Sequence, residues 1–161
     1  MYPEILYVMV EDLFEACKEQ NLKLALAESC TGGLIAGCVT AVAGSSDILD
    51  RGFVTYSNAA KAEMLGVDEA LIETHGAVSE EVAIAMAEGA LMNSDAQITL
   101  SVTGIAGPGG ETEDKPVGLV HMAVAREGQD THHQRHVFKG DRERVRIQTV
   151  ESGVKLLLIN V

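Results

Sequence analysis

A carboxylate, a hydroxyl, a thiol and a second hydroxyl follow one another in LALAESCTGG, the stretch from Leu24 to Gly33, between an apolar run and two glycines. The order Glu28, Ser29, Cys30, Thr31 reads as a buried strand ending in a turn that opens a helix. Helix N-termini present unpaired N–H groups and partial positive charge. A Ser29 nucleophile at such a place would have donors for an oxyanion beside it, near Thr31, Gly32 and Gly33. Gly32 and Gly33 would also let backbone approach a ligand without a Cβ in the way. The same residues suit an ordinary helix cap, and residue types alone leave both readings open.

A serine nucleophile needs a base. Lys61 closes TYSNAAK, just after a second apolar segment, amid apolar and small residues. A lysine partly desolvated at a strand end loses its proton near neutral pH and can serve as that base. A solvated helix lysine is the alternative. Of the five histidines, His75 in ETHGAVS suits a helix terminus, while His132, His133 and His136 fall together on a strand near a sheet edge. His132 and His136 would share a face, yet no carboxylate accompanies them at ligand spacing, so a solvated edge is expected and no metal site. The glycine loop GIAGPGGETEDK is neither a P-loop nor a dinucleotide fingerprint, because no lysine-serine or lysine-threonine follows the glycines and the segment leads into a strand. A loop of this length still suits an active site. Arg142 and Arg146 share a face of the last helix and could either clamp a phosphate or form a salt-bridged surface.

These residues need elements to hold them. Apolar positions at Ile5, Leu6, Met9, Val10, Leu13, Phe14 and Cys17 predict an amphipathic helix from Pro3 to about Gln20. A short strand over Leu22–Ala27 and a small-residue helix, GGLIAGCVTAV, follow. A second strand is expected over Gly52–Ser57, then a short helix capped by Asn58 and stopped at Gly66. Further helices are expected around Glu69–Thr74 and from Ser79 to about Met92. AQITLSVTG reads as a strand, Gly104–Pro116 as a loop, and VGLVHMAVA and THHQRHVF as a hairpin joined by REGQD. A final helix opens at Asp141. The pattern predicts an α/β fold, a three-layer α/β/α sandwich around a mixed sheet, in one domain spanning 1–161.

Composition narrows the chemistry. The 161 residues carry 24 acidic and 12 basic side chains, a net charge of −12, which disfavours nucleic acid as a partner. An anionic small molecule would need a local basic or backbone N–H site. No apolar run is long enough to span a membrane, and the N-terminus carries acids where a signal peptide needs positive charge, so a cytoplasmic protein without membrane contact is expected. Three cysteines without a CxxC argue against a disulfide framework, and Cys17 and Cys38 read as core thiols.

Five blocks, AESCTGG, AGSSDILDRGFVTYSNAAKAEMLGV, SVTGIAGPGG, KPVGLVHMAVA and GDRERVRIQTVE, resemble the CinA C-terminal domain family in order and spacing, over essentially the whole chain. Its enzymatic members are the PncC-type nicotinamide mononucleotide amidases. The resemblance implies hydrolysis of a carboxamide to a carboxylate and ammonia without metal or cofactor, on a small-molecule pyridine nucleotide, in a homo-oligomer. It implies Ser29 as nucleophile, Lys61 as base and Tyr56 as an aid to proton relay, with Cys30 a bystander. Asn58, Thr103, Gly104 and Arg142 become candidates for holding ribose phosphate or the pyridine ring. Nothing in the chain matches the separate N-terminal domain of full-length members, so its pyrophosphatase-type activity is not expected. Two other classes stay open: a non-catalytic nucleotide-binding module, and a hydrolase of another amide assisted by Cys30 or His75.

Overall fold

In a computed structural model that describes residues 1–161, one five-stranded mixed sheet runs through the molecule. The strands are β1 (Leu24–Glu28), β2 (Leu49–Val54), β3 (Ile98–Gly104), β4 (Leu119–Arg126) and β5 (His132–Val137). They lie in the order β2-β1-β3-β4-β5. β1 runs parallel to both β2 and β3, whereas β3, β4 and β5 are successively antiparallel. The helices are α1 (Glu4–Glu19), α2 (Leu34–Thr40), α3 (Asn58–Leu65), α4 (Glu69–His75), α5 (Glu80–Met92) and α6 (Arg142–Asn160). The three-layer α/β/α sandwich expected from the sequence is the observed architecture.

The two sheet faces are chemically different, and the difference follows from the period-2 alternation of strand side chains. Leu24 and Leu26 of β1, Ile98, Leu100 and Val102 of β3, and Val120, Met122 and Val124 of β4 face α1, α2 and α6 in the main core. The opposite face carries Ala27, Ala123 and Ala125 against α5, with α3 and α4 packed beside it. Thr99, Ser101 and Thr103 of β3 are buried there, and their hydroxyls donate to the carbonyls of Ala87, Ala83 and Ala77. Small side chains let α5 approach closely, and each buried hydroxyl finds a helix-side acceptor.

Boundaries differ from the sequence reading at informative places. β1 begins at Leu24 rather than Leu22, because the chain leaves α1 through Asn21 at φ 55° and Leu22 N–H still bonds back to Cys17. β2 runs over Leu49–Val54 rather than Gly52–Ser57, pairing with β1 after a register shift at Leu24/Ala25. Asn58 is not the cap of α3. Ser57, extended at φ −89° and ψ 160°, holds that place, and its hydroxyl accepts from Ala60 N–H. Caps at Ser79 and Asp141 and the stop at Gly66 stand where expected. No helix is long and apolar enough to cross a membrane.

Candidate active site

The parallel strands β1 and β3 and the end of β2 deliver their carboxyl-terminal residues to one cavity. Its volume is about 240 Å³, and Ser29, Tyr56, Asn58, Lys61, Thr103, Gly104 and Arg142 are all in its wall. Ser29 follows β1 directly, and its N–H bonds to Val102 of β3, so the residue is held in the plane of the sheet. Lys61 comes from the first turn of α3. Its side chain is 1% exposed, and Nζ lies 3.1 Å from Ser29 Oγ.

The remaining neighbours of Nζ are backbone carbonyls, Thr55 at 2.9 Å and Tyr56 at 3.5 Å. No carboxylate pairs with it. Burial without a counter-ion disfavours the ammonium form and pushes the Lys61 pKa below its ordinary value, with the neighbouring Cys30 pulling weakly the other way. A neutral amine has two N–H bonds and one lone pair. With the carbonyls of Thr55 and Tyr56 taking the N–H bonds, the lone pair is left for the Ser29 hydroxyl.

Cys30 is a poor nucleophile by the same physics. It is buried, and loss of hydration raises its thiol pKa to about 12, so the thiolate that would react is suppressed. Its sulfur packs where a Cβ on Gly104 would stand, at 3.2 Å, with Leu119 O at 2.8 Å. Gly104 is therefore set by close packing behind the cavity.

The donors beside Ser29 are not the ones expected. Glu28 is buried, and its carboxylate accepts from Thr31 Oγ1 and from the N–H groups of Gly33, Ile35 and Ala36. That carboxylate consumes the N-terminus of α2, which begins only at Leu34. Thr31, Gly32 and Gly33 are accordingly turn residues behind the cavity and do not line it. Gly32 and Gly33, at φ 59° and 103°, give the turn its left-handed corners. Gly32 N–H bonds to Ser29 O. Thr31 is fully buried, so of these residues only Cys30 lies in the cavity wall, and its N–H, with no acceptor beyond its own thiol, is the backbone donor next to the nucleophile.

Tyr56 differs from its expected role as well. The residue is 60% exposed and its hydroxyl accepts from Arg142 Nη2, so it meets Lys61 through its carbonyl and not through its hydroxyl. Lys61 reaches Ser29 without an intermediary. Arg142 is anchored by a second bond to Gly107 O of the glycine loop and faces the cavity. Arg146, one turn further along α6, does not: its guanidinium donates to Cys30 O at 3.1 Å and Thr31 O at 2.9 Å. The sequence reading names Glu28 and Arg146, but not as the residues that build the turn around Ser29. Adjacency to Ser29 marked the first, and its spacing to Arg142 marked the second, but neither signal disclosed the partner.

The histidines lie elsewhere. His75 ends α4 near Glu81, His132 meets Asn160, and His133 contacts the buried His121 at 2.8 Å. His136 stacks on Phe138. None lines the cavity.

Similarity to known proteins covers this site entirely. A family model, the CinA C-terminal domain, matches residues 7–161. A CinA-like protein of a Geobacter species is 57% identical over 140 residues, 87% of this chain and 34% of that protein. The chain spans about a third of the length of the curated relatives it matches. The crystal structure of competence/damage inducible protein CihA from Agrobacterium tumefaciens superposes with a TM-score of 0.97 at 42% identity, over 99% of this chain and 97% of that one. A competence-damaged protein (CinA) superfamily member from Escherichia coli gives 0.94 at 32% identity, over 100% and 94% of the two chains. Sequence blocks, strand order and near-complete superposition converge: the chain belongs to the CinA C-terminal domain family.

Proposed function

We propose that the chain is an amidase that converts nicotinamide mononucleotide to nicotinate mononucleotide and ammonia through an acyl-enzyme on Ser29. The observation that carries this reading is the contact between Ser29 Oγ and a buried Lys61 Nζ that has no counter-ion. Neutral Lys61 takes the Ser29 proton as Oγ bonds to the amide carbon. The oxygen that gains charge is met by the N–H of Cys30, in the cavity wall beside Ser29. The C–N bond then breaks and Lys61 returns the proton to departing ammonia; a water then gives a proton to Lys61 as its oxygen bonds to the acyl carbon, and Lys61 passes that proton to Ser29 Oγ as the ester C–O bond breaks. The choice of a nucleotide rests on family resemblance together with Arg142 and Asn58 in the cavity wall, a cation and an amide suited to phosphate and ribose.

The test is ammonia release from nicotinamide mononucleotide and from free nicotinamide, with a strong chelator present. Faster release from the nucleotide, undiminished by the chelator, is expected. Equal rates on both amides remove the nucleotide from the reading. Binding of the nucleotide without any ammonia makes the chain a binding module, and a turnover that returns only with added zinc makes it a metallohydrolase.

A further inference from the structure

The turn that carries Ser29 is gripped from two sides. On one, the Glu28 carboxylate takes three N–H groups of the following residues. On the other, Arg146 reaches back from α6 across more than a hundred residues of chain, |i−j| 116 and 115, to the carbonyls of Cys30 and Thr31. Arg146 is absent from the cavity wall, so its charge lies behind the turn and does not face a substrate there. Resting on the amidase reading, we infer that Arg146 is a positioning residue for the oxyanion site, holding the turn that aims the Cys30 N–H beside Ser29.

The peptide connectivity gives the reason. Thr31 O and Gly32 N–H belong to one peptide group, so Arg146 Nη2 on that oxygen polarises that N–H, which donates to Ser29 O. Ser29 O shares its peptide with Cys30 N–H, the donor in the cavity wall. One guanidinium therefore fixes the turn at Cys30 O through Nε and polarises the Cys30 N–H through one relay from Nη2. A planar fork suits two adjacent carbonyls, whereas an ammonium offers a point charge that holds them less rigidly. Displacing that donor from the place where charge develops costs turnover without loosening substrate, because the amide oxygen draws on it most strongly in the transition state.

The test compares the parent chain with Arg146→Met, Arg146→Lys and Ser29→Ala. Two reactions are followed: ammonia release from nicotinamide mononucleotide, and acylation of Ser29 by p-nitrophenyl acetate, read by intact mass. Arg146→Met is expected to lose about a hundredfold in both kcat and acylation rate, the low end for an oxyanion donor, with KM within about twofold. Arg146→Lys is expected to fall between, and it carries the test if the methionine variant fails to melt cooperatively. The acid limb of the pH–rate profile stays in place. A raised KM at unchanged kcat makes Arg146 a phosphate grip and overturns the inference. So does a displaced acid limb, which makes it a charge acting on Lys61, and so does a lysine variant at parental rate. A parent acylated at Ser29 that releases no ammonia sinks the amidase reading alone, since the ester still reports on Arg146. A parent that is never acylated sinks the positioning role.

Discussion

At the scale of single residues, Lys61 is the side chain on which the chemistry turns. Arginine in its place keeps a positive charge and can bind phosphate, but it stays protonated and cannot serve as a base. Lys61→Arg is therefore expected to lose at least about a hundredfold in turnover, the low end for general-base catalysis, with substrate affinity changed far less. Near-normal turnover would reject the serine–lysine mechanism. The pH dependence has a definite sign. Activity rises with pH as Lys61 loses its proton, and burial places that midpoint below the 10.5 of an ordinary lysine. A limb centred at or above the ordinary lysine value would contradict a desolvated base. Ser29→Ala should abolish ammonia release while nucleotide binding, followed by calorimetry, persists. Cys30→Ala should cost little, since the thiol is held protonated. A dead Cys30→Ala beside a live Ser29→Ala would exchange the two assignments.

At the scale of elements, the turn between β1 and α2 depends on a carboxylate that the residue types do not explain. Glutamine at position 28 turns one acceptor into a donor, so it opposes either Ala36 N–H or the group formed by Thr31 Oγ1, Gly33 N–H and Ile35 N–H. Hydrogen bonds to a charged acceptor are worth about 1.5–3 kcal/mol each, and a buried donor left without one costs about as much. Glu28→Gln is expected to lose about 2–4 kcal/mol in urea unfolding, and a variant as stable as the parent would show that the carboxylate does not hold the turn. Much of this architecture was legible in advance. The i, i+3, i+4 spacing of α1 and the caps at Ser79 and Asp141 are local signals, and local physics sets those elements. β2 was displaced because Leu49–Arg51 is a half-exposed edge segment whose pairing is decided by β1. Ser57 and Asn58 are both good caps, and only backbone conformation at Ser57 separates them. Ser29 and Lys61 could be paired as types, yet their contact joins residues 32 apart. Arg142 and Arg146 share a helix face, but the glycine loop lies under one and the Ser29 turn under the other, a division no spacing rule contains.

At the scale of the whole molecule, the site is built at the expense of stability. A fully buried amine without a counter-ion is an unfavourable thing to fold around, and proteins sit only slightly above the stability they need. Methionine matches the length of the lysine stem without its charge. Lys61→Met should therefore be catalytically inactive and more stable than the parent at neutral pH, by on the order of 1 kcal/mol, which raises Tm by about 2–4 °C for a chain of this size. The pH dependence of that gain identifies its cause. In the unfolded chain the lysine titrates at its ordinary value of 10.5, and in the folded protein it titrates lower. Between the two values the unfolded state binds a proton that the folded state does not, so parental stability rises with pH across that window. Below the folded value the penalty is complete, and above the unfolded value it vanishes. The difference in Tm between Lys61→Met and the parent should thus be largest below the folded value and shrink as pH climbs from there toward 10.5. Taking the difference cancels the other groups that titrate in the same range. A gain independent of pH would come from better packing of the methionine, and a loss of stability would mean that the carbonyls of Thr55 and Tyr56 need the amine more than the amine needs water.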